Sequence, residues 1–281
     1  MKLPVLVAAF AAATLWASLP SFAAAADELP TPDHVIVVMM ENHSFRQIME
    51  GGGQTPFLRL LGSEGANFVN AFAITHPSEP NYFALFSGST QGVRDDGKHS
   101  FDAPTLAGAL AGAHKTFIGY IEAGSPRKHN PWESFANSQA VEQTMARFPD
   151  RFAALPTVAF VVPGLAHDMH DGTIAQGDRW VEAHLAAYAH WAQTHNSLLI
   201  VTFDEDDDGA ANRIPTIIVG DHVVPGRYAQ RISHYTVLRT ILAMYRLRPF
   251  ANAIGEQPIT GIWRLDKASP AETAARGAPP S

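Results

Sequence analysis

The chain has 281 residues, with 20 basic side chains, 27 acidic side chains and no cysteine. Its formal net charge of −7 argues against a basic face for nucleic acid or anionic lipid. The lack of cysteine excludes disulfides and thiolate ligands, so any metal must be held by oxygen atoms or by some of the 13 histidines.

The N-terminal segment is typical of a secretory signal peptide. Lys2 precedes the uncharged apolar stretch 3–19, and the small residues of 21–26 offer cleavage sites. We expect cleavage after Ala26 and a periplasmic or secreted protein. An uncleaved membrane anchor is the alternative. No later apolar run is long enough to span a bilayer, so we expect no stable membrane insertion afterwards.

The rest of the chain alternates between two patterns. Continuous apolar runs predict strands covered on both faces, at 34–40, 116–121, 157–162, 197–203 and 214–219. Helical periodicity is found at 55–62, 79–87, 104–113, 172–194 and 234–247. This alternation predicts an α/β three-layer sandwich with a mainly parallel central sheet. We expect one domain over 27–267 and a disordered tail, rich in Ala, Pro and Gly, over 268–281.

Polar clusters follow three of the predicted strands. Glu41 and Asn42 follow the first, His167–Asp171 the third and Asp204–Asp208 the fourth. Ligands of such sheets bind beyond the carboxyl ends of the strands, so we expect these clusters to share one edge.

The acidic run 204–208 predicts a site for a hard cation, with Asp204 and Glu205 as ligands. A solvated acidic turn is the alternative. An EF-hand is excluded because Pro215 occupies the twelfth position, where a bidentate glutamate is required. Glu41 and Asn42 could supply oxygen ligands to the same ion, or could simply end a strand before a helix cap.

Ser78 lies where a helix is predicted to begin, with Pro80 in its first turn. It could act only as a helix cap. Alternatively, its hydroxyl could use the positive field of the helix N-terminus as a nucleophile in phosphoryl transfer. The chain contains no G-x-S-x-G segment, which disfavours an α/β-hydrolase.

Histidines are candidates for proton transfer, phosphate binding or metal ligation. The segment His167–Asp171 combines two imidazoles with two carboxylates. His129 and His234 are weaker candidates because each stands alone.

Taken in order, the segments Glu41–Phe45, Pro77–Asn81, His167–Asp171 and Asp204-Glu205 resemble the phosphoesterase family. That family contains acid phosphatases and phosphatidylcholine-type phospholipases C and has an alkaline-phosphatase-like α/β fold. The resemblance implies that Ser78 is the nucleophile. It implies one divalent ion (Ca, Mg, Mn, Zn or Fe) and assigns the following residues to it: Glu41, Asn42, Ser78, Asp204 and Glu205.

The resemblance also assigns the substrate contacts. His170 and His129 become candidate catalytic residues that contact phosphate or protonate the leaving group, and Asn42, His167 and Asn81 become candidate substrate-binding residues. The predicted substrate is a small phosphate ester.

We therefore expect an exported, metal-dependent acid phosphatase that forms a phosphoserine. A phospholipase C-type phosphodiesterase is the first alternative. It is disfavoured because the phospholipases usually carry a further C-terminal domain and have Asp-Glu-His-Gly-Gly where this chain has residues 204–208. A non-catalytic periplasmic protein that binds a cation or phosphate is the second alternative, and a serine carboxylesterase comes last.

Overall fold

The computed structural model describes residues 29–138, 141–209 and 211–264. The predicted signal peptide (1–26) and the predicted tail (268–281) lie outside these residues. The strands are β1 His34–Met40, β2 Ala66–Phe68, β3 Ala71–Phe72, β4 Phe117–Ile121, β5 Glu142–Thr144, β6 Val158–Val162, β7 Ser197–Phe203, β8 Thr216–Gly220, β9 Gly226–Tyr228 and β10 Ile232–Ser233. The α-helices are α1 Pro56–Glu64, α2 Glu79–Ser87, α3 Leu106–Gly112, α4 Ile174–Ala192 and α5 His234–Met244.

Eight of these strands form one sheet in the order β5-β4-β6-β1-β7-β8-β2-β9. All of its neighbouring strands are parallel except at β8, which runs antiparallel to both β7 and β2. The described residues of the connection from β7 to β8 form no helix, and β8 returns antiparallel instead of crossing over. The predicted α/β fold with a mainly parallel sheet is confirmed.

The sheet is covered on both faces. Every residue of β6 and β7 is buried, as is every residue of β1 after His34. The helices form two groups: α1 packs on α4, and α2 packs on α5 and α3. These layers explain the continuous apolar runs of the central strands. Among the described helices, none is long and apolar enough to cross a bilayer.

Strand pairing fixes where the functional loops emerge. β1 and β7 pair in register up to Met40 opposite Phe203, so Glu41 and Asp204 leave the sheet side by side. The N–H of Asp204 donates to Met40 O at 3.0 Å, and the N–H of Glu41 donates to Asp168 O at 2.8 Å. The three polar clusters therefore meet at one edge, as the sequence predicts.

Candidate active site

Ser78 immediately precedes helix α2. Pro80 lies in the first turn of this helix, which ends at Gly88 in a left-handed conformation with φ of 69°. The Ser78 side chain makes no capping hydrogen bond. Instead its Oγ lies 3.1 Å from Glu41 Oε2 and 3.1 Å from Glu205 Oε1. The interpretation of Ser78 as only a helix cap is therefore wrong.

Asn81 holds the loop that carries Ser78. Its side-chain oxygen accepts from the N–H groups of Ile74 and Thr75 at 3.0 and 3.1 Å. Its side-chain nitrogen donates to Thr75 O at 2.8 Å and to Pro77 O at 3.2 Å. The side chain is fully buried and its amide is occupied by backbone groups. The structure thus places Asn81 as a positioning residue, instead of in the predicted contact with substrate.

Four carboxyl groups lie close together beside the serine loop, with almost no access to solvent. Glu41, Asp168 and Asp204 are fully buried, and Glu205 is 5% exposed. Burial, followed by the charges of Asp204 and Asp168, raises the pKa of Glu41 well above its usual range. Burial, followed by the charge of Glu205, raises the pKa of Asp204, and burial also raises that of Glu205. Each shift reflects the cost of keeping negative charge in this space without a compensating cation.

Asn42 closes this group of carboxylates. It adopts a left-handed conformation with φ of 51°, and its backbone N–H donates to Asp204 Oδ1 at 3.0 Å. One terminal atom of its side-chain amide lies 3.2–3.3 Å from oxygens of Glu41, Asp204 and Glu205. A nitrogen at that position donates to the carboxylates, whereas an oxygen there suits a bound cation.

His129 lies between two of the same carboxylates. Its Nε2 is 3.1 Å from Glu41 Oε1, and its Nδ1 is 3.3 Å from Asp168 Oδ2. Neither imidazole nitrogen makes a hydrogen bond, nor does Asp168 Oδ2, although all three atoms are buried. Burial lowers the pKa of His129, which favours the neutral imidazole. Tyr82 stacks on this ring at 5.0 Å and donates its hydroxyl to Glu41 Oε1.

This donor set fits a divalent cation. Glu41, His129 and Asp168 offer ligand atoms within 4.8 Å of one another. Their unpaired buried atoms are those that a metal would satisfy, and the carboxylate and amide oxygens around Ser78 suit a hard ion. The predicted metal set (Glu41, Asn42, Ser78, Asp204 and Glu205) is brought together, and Glu41 belongs to both groups.

The two predicted histidines of the segment 167–171 lie in different surroundings. The ring of His170 is 6.2 Å from that of His129. The backbone N–H of His170 donates to Asp168 Oδ1 at 2.8 Å, and its ring Nδ1 lies 2.7 Å from Asp171 Oδ1. His170 therefore borders the group of four buried carboxylates (Glu41, Asp168, Asp204 and Glu205), which we call the carboxylate centre. His167 instead pairs with Glu122 at 3.0 Å and lines a separate cavity of about 310 Å³ beside Trp180. The structure does not bring His167 into contact with Ser78.

His76 is a member of the site that the sequence analysis missed. Its Nδ1 lies 2.7 Å from Glu205 Oε2, and its Nε2 lies 3.4 Å from Asp206 Oδ1. The signal was its position two residues before the candidate nucleophile. His234, a weak candidate, is buried and its Nε2 lies 2.9 Å from Phe203 O, the backbone oxygen just before Asp204.

The acidic run divides into separate roles. Glu205 contacts Ser78, and Asp204 accepts the backbone N–H of Asn42. Asp206 accepts the N–H groups of Asp208 and Asn212 at 2.9 and 2.8 Å and so shapes the loop. Asp208 is largely exposed. The two predicted ligands are thus the two residues nearest the strand.

Two cations lie on the other side of the serine. Arg127 makes a bidentate contact with the buried carboxylate of Glu79, the first residue of α2, and also donates to Gly97 O. Lys128 Nζ lies 2.9 Å from Asp96 Oδ2, and Asp96 Oδ1 accepts the Glu79 N–H at 3.0 Å. These contacts fix the start of α2 and hence Ser78.

Comparison with solved structures identifies the fold. A protein of the alkaline phosphatase superfamily from Vibrio parahaemolyticus superimposes with a TM-score of 0.59 at 13% identity, over 83% of this chain and 72% of the other. A phosphonate monoester hydrolase from Silicibacter pomeroyi gives a TM-score of 0.59 at 12% identity, over 83% and 78%. The predicted alkaline-phosphatase-like architecture is thus confirmed.

Sequence relatives are more specific. A phosphatidylinositol-3-phosphatase from Mycobacterium tuberculosis is 44% identical over 273 residues, covering 90% of this chain and 91% of its own length. An acid phosphatase from Aspergillus fumigatus is 27% identical over 68% of this chain, which spans only 50% of the fungal protein. The model of the phosphoesterase family matches residues 50–248. The chain therefore belongs to the phosphoesterase family and is a hydrolase of phosphoric esters.

Proposed function

We propose that this chain is an exported, metal-dependent acid phosphatase that hydrolyses phosphomonoesters through a phosphoserine on Ser78. The observation that carries the proposal is the position of the Ser78 hydroxyl, 3.1 Å from carboxylate oxygens of both Glu41 and Glu205. The names of the two relatives, both phosphatases, support a monoesterase. The N-terminal pattern of residues 1–26 supports export.

One divalent cation would be held by Glu41, Asn42, Ser78, Asp204 and Glu205. When bound, it supplies positive charge that favours the ionised serine and offsets the charge of the phosphate. The raised carboxyl pKa values support this part of the proposal, since they reflect negative charge that lacks a partner.

The first chemical step is attack by Ser78. Its Oγ passes its proton to Glu205 Oε1 and forms a bond to phosphorus. The bond between phosphorus and the ester oxygen breaks, and its electron pair leaves with the alcohol. The positive end of the α2 dipole favours the phosphoryl group at this position.

His170 is the proposed proton donor to the leaving alcohol. Its Nδ1 is engaged by Asp171, which leaves Nε2 for the substrate, and its side chain is 30% exposed. His129 is fully buried between two carboxylates, so we assign the proton transfer to His170 instead. In the second step, neutral His170 takes a proton from water, which attacks phosphorus. The bond from phosphorus to Ser78 then breaks, and Oγ regains its proton from Glu205.

The first test is hydrolysis of p-nitrophenyl phosphate by the mature chain, before and after EDTA, with Ca²⁺, Mg²⁺, Mn²⁺, Zn²⁺ and Fe²⁺ added back singly. We expect EDTA to abolish turnover and one ion to restore it. Full activity in a preparation that elemental analysis shows to be metal-free would refute metal dependence. Cleavage of phosphatidylcholine without any monoester hydrolysis would favour the diesterase instead.

The nucleophile is tested with Ser78→Ala. We expect turnover to fall by at least about 10⁴-fold, because no other group would carry the phosphoryl intermediate. Acid quenching with a ³²P-labelled substrate should trap labelled wild-type protein but no labelled variant. Ser87→Ala is the matched control: Ser87 lies at the other end of α2, and its hydroxyl donates to Phe83 O at 2.8 Å. Labelled Ser78→Ala protein would refute the assignment.

A further inference from the structure

A large cavity adjoins the serine loop. Its volume is about 540 Å³, and it is lined by residues 74–76, 90, 92–94 and 235. Three other surface cavities measure about 250–320 Å³. A volume of this size lies within the roughly 300–1,000 Å³ of small-molecule sites. The walls carry hydroxyl groups from Thr75, Thr90 and Tyr235.

This cavity and the carboxylate centre share one wall. His76 lines the cavity, while its Nδ1 lies 2.7 Å from Glu205 Oε2, the carboxylate whose other oxygen contacts Ser78. Thr75, another lining residue, is held by the Asn81 amide. The cavity therefore adjoins, through His76, the carboxylates that contact Ser78.

The cavity also contains an available positive charge. Arg94 lines it and is exposed, and within the described parts of the chain it forms no ion pair or hydrogen bond. Arg127 and Lys128, in contrast, are paired with Glu79 and Asp96. An arginine without a carboxylate partner presents a planar set of donors that matches a phosphate or phosphodiester.

We propose that Arg94 is a specificity-determining residue that binds a second anionic group on the leaving alcohol. This inference rests on the proposed phosphomonoesterase function. The substrate class is a hydroxylated phosphomonoester that carries a second phosphate or a phosphodiester. That chemistry is shared by soluble bisphosphates and by the headgroup of a phosphorylated inositol lipid.

Three probes with one common ring test the proposal on the metal-loaded chain. Inositol 3-phosphate has no second anion, inositol 1,3-bisphosphate has one without lipid, and dibutanoyl phosphatidylinositol 3-phosphate has one in a lipid headgroup. We expect wild-type kcat/KM to be about tenfold or more higher for a two-anion probe than for inositol 3-phosphate. A higher kcat/KM with both two-anion probes identifies the second anion alone as the determinant. A higher kcat/KM with the lipid probe only identifies the lipid headgroup.

Arg94→Gln should bring the ratio of kcat/KM for a two-anion probe to that for inositol 3-phosphate close to one, whereas Arg94→Lys should retain part of the preference. Lys98→Gln is the matched control, because Lys98 is an exposed cation four residues away that lines a different cavity. A wild-type preference near one, or an equal loss in Arg94→Gln and Lys98→Gln, would overturn the proposal. Failure of the proposed function itself would look different: the wild type would not hydrolyse p-nitrophenyl phosphate with any metal.

Discussion

Two glutamates occupy equivalent places in the fold but differ in their surroundings. Glu41 directly follows β1 and Glu122 directly follows β4, both at the carboxyl edge of the parallel sheet. Glu122 accepts the Gly164 N–H at 2.8 Å and the Trp180 Nε1–H at 2.9 Å, and His167 lies at 3.0 Å. Burial opposes its ionisation, but these donors outweigh it and lower the pKa of Glu122.

Glu41 has the opposite environment. Only the hydroxyls of Ser78 and Tyr82 donate to it in the described structure, while Asp204 and Asp168 add negative charge and burial is complete. The contrast teaches that a position just after a parallel strand places a carboxylate at the edge where ligands bind, but does not by itself make it a metal ligand. The supply of hydrogen-bond donors decides which carboxylate still needs a cation.

The largest expected effect separates the two glutamates by activity. Glu41→Gln should lower kcat/KM by more than the roughly 10- to 100-fold typical of losing an outer partner of a metal ligand, because Glu41 is proposed as a ligand itself. Glu122→Gln should change activity by no more than about threefold, while costing roughly 1–3 kcal/mol of stability. Steady-state kinetics and denaturant titration of both variants measure this. Equal losses of activity in the two variants would contradict a metal-binding role for Glu41 that Glu122 does not share.

A buried imidazole beneath the same edge gives the next effect. Burial lowers the pKa of His234 to about 4, although its bond to Phe203 O opposes the shift. Between about pH 6.5 and pH 4 the unfolded chain binds this proton while the folded chain does not. Stability from neutral His234 is thus present above about pH 6.5 and is lost as pH falls to about 4, by roughly 3 kcal/mol in total.

Urea titrations between pH 4 and pH 7 check this expectation. His234→Gln should flatten the pH dependence of the unfolding free energy over that window. His184→Gln is a suitable comparison, because His184 is exposed on helix α4 and bonds its own helix at Trp180 O. The same slope in the His234 variant as in the wild type would contradict the account.

Metal binding should stabilise the fold through Glu41 and not through Glu122. At a free metal concentration of about 100 times Kd, the gain is about 2.7 kcal/mol. For a domain of this size, that corresponds to a rise in Tm of roughly 5–11 °C. Thermal melts of metal-free protein with and without the restoring ion should show this rise for the wild type and Glu122→Gln. A full rise in Glu41→Gln would mean that the ion binds elsewhere.

Much of the fold could be predicted because its central strands are long and uninterrupted by polar residues. Residues 34–40 and 197–203 were predicted with the boundaries that the structure has. Five shorter strands (β2, β3, β5, β9 and β10) were missed, since two or three residues carry no periodic signal. The direction of β8 depends on a helix-free loop, which the apolar pattern of residues 214–219 does not encode.

The meeting of the candidate ligands was predictable where they directly follow strands, as with Glu41 and Asp204. It was less so where a side chain returns from a distant loop. His76 reaches Glu205 from the loop before α2. Asp168 contacts His129, although the two residues lie far apart in the sequence. His167 shows the converse: its sequence neighbours suggested the site, but the ring packs beside Trp180 and pairs with Glu122. Pairings of this kind depend on tertiary packing.

The smallest expected effect tests whether donors are what distinguish Glu122. Trp180→Phe removes the Nε1–H that Glu122 accepts while keeping an aromatic ring against His184, whose ring lies 4.3 Å away. Trp191→Phe makes the same replacement at a ring that stacks on His195 at 4.3 Å and, within the described residues, donates no hydrogen bond from Nε1. We expect Trp180→Phe to cost about 1 kcal/mol more than Trp191→Phe in denaturant titrations, with phosphatase activity preserved in both. Equal costs would mean that this hydrogen bond contributes nothing, and the contrast between the two glutamates would then rest on the other contacts of Glu122, with Gly164 and His167, and on burial.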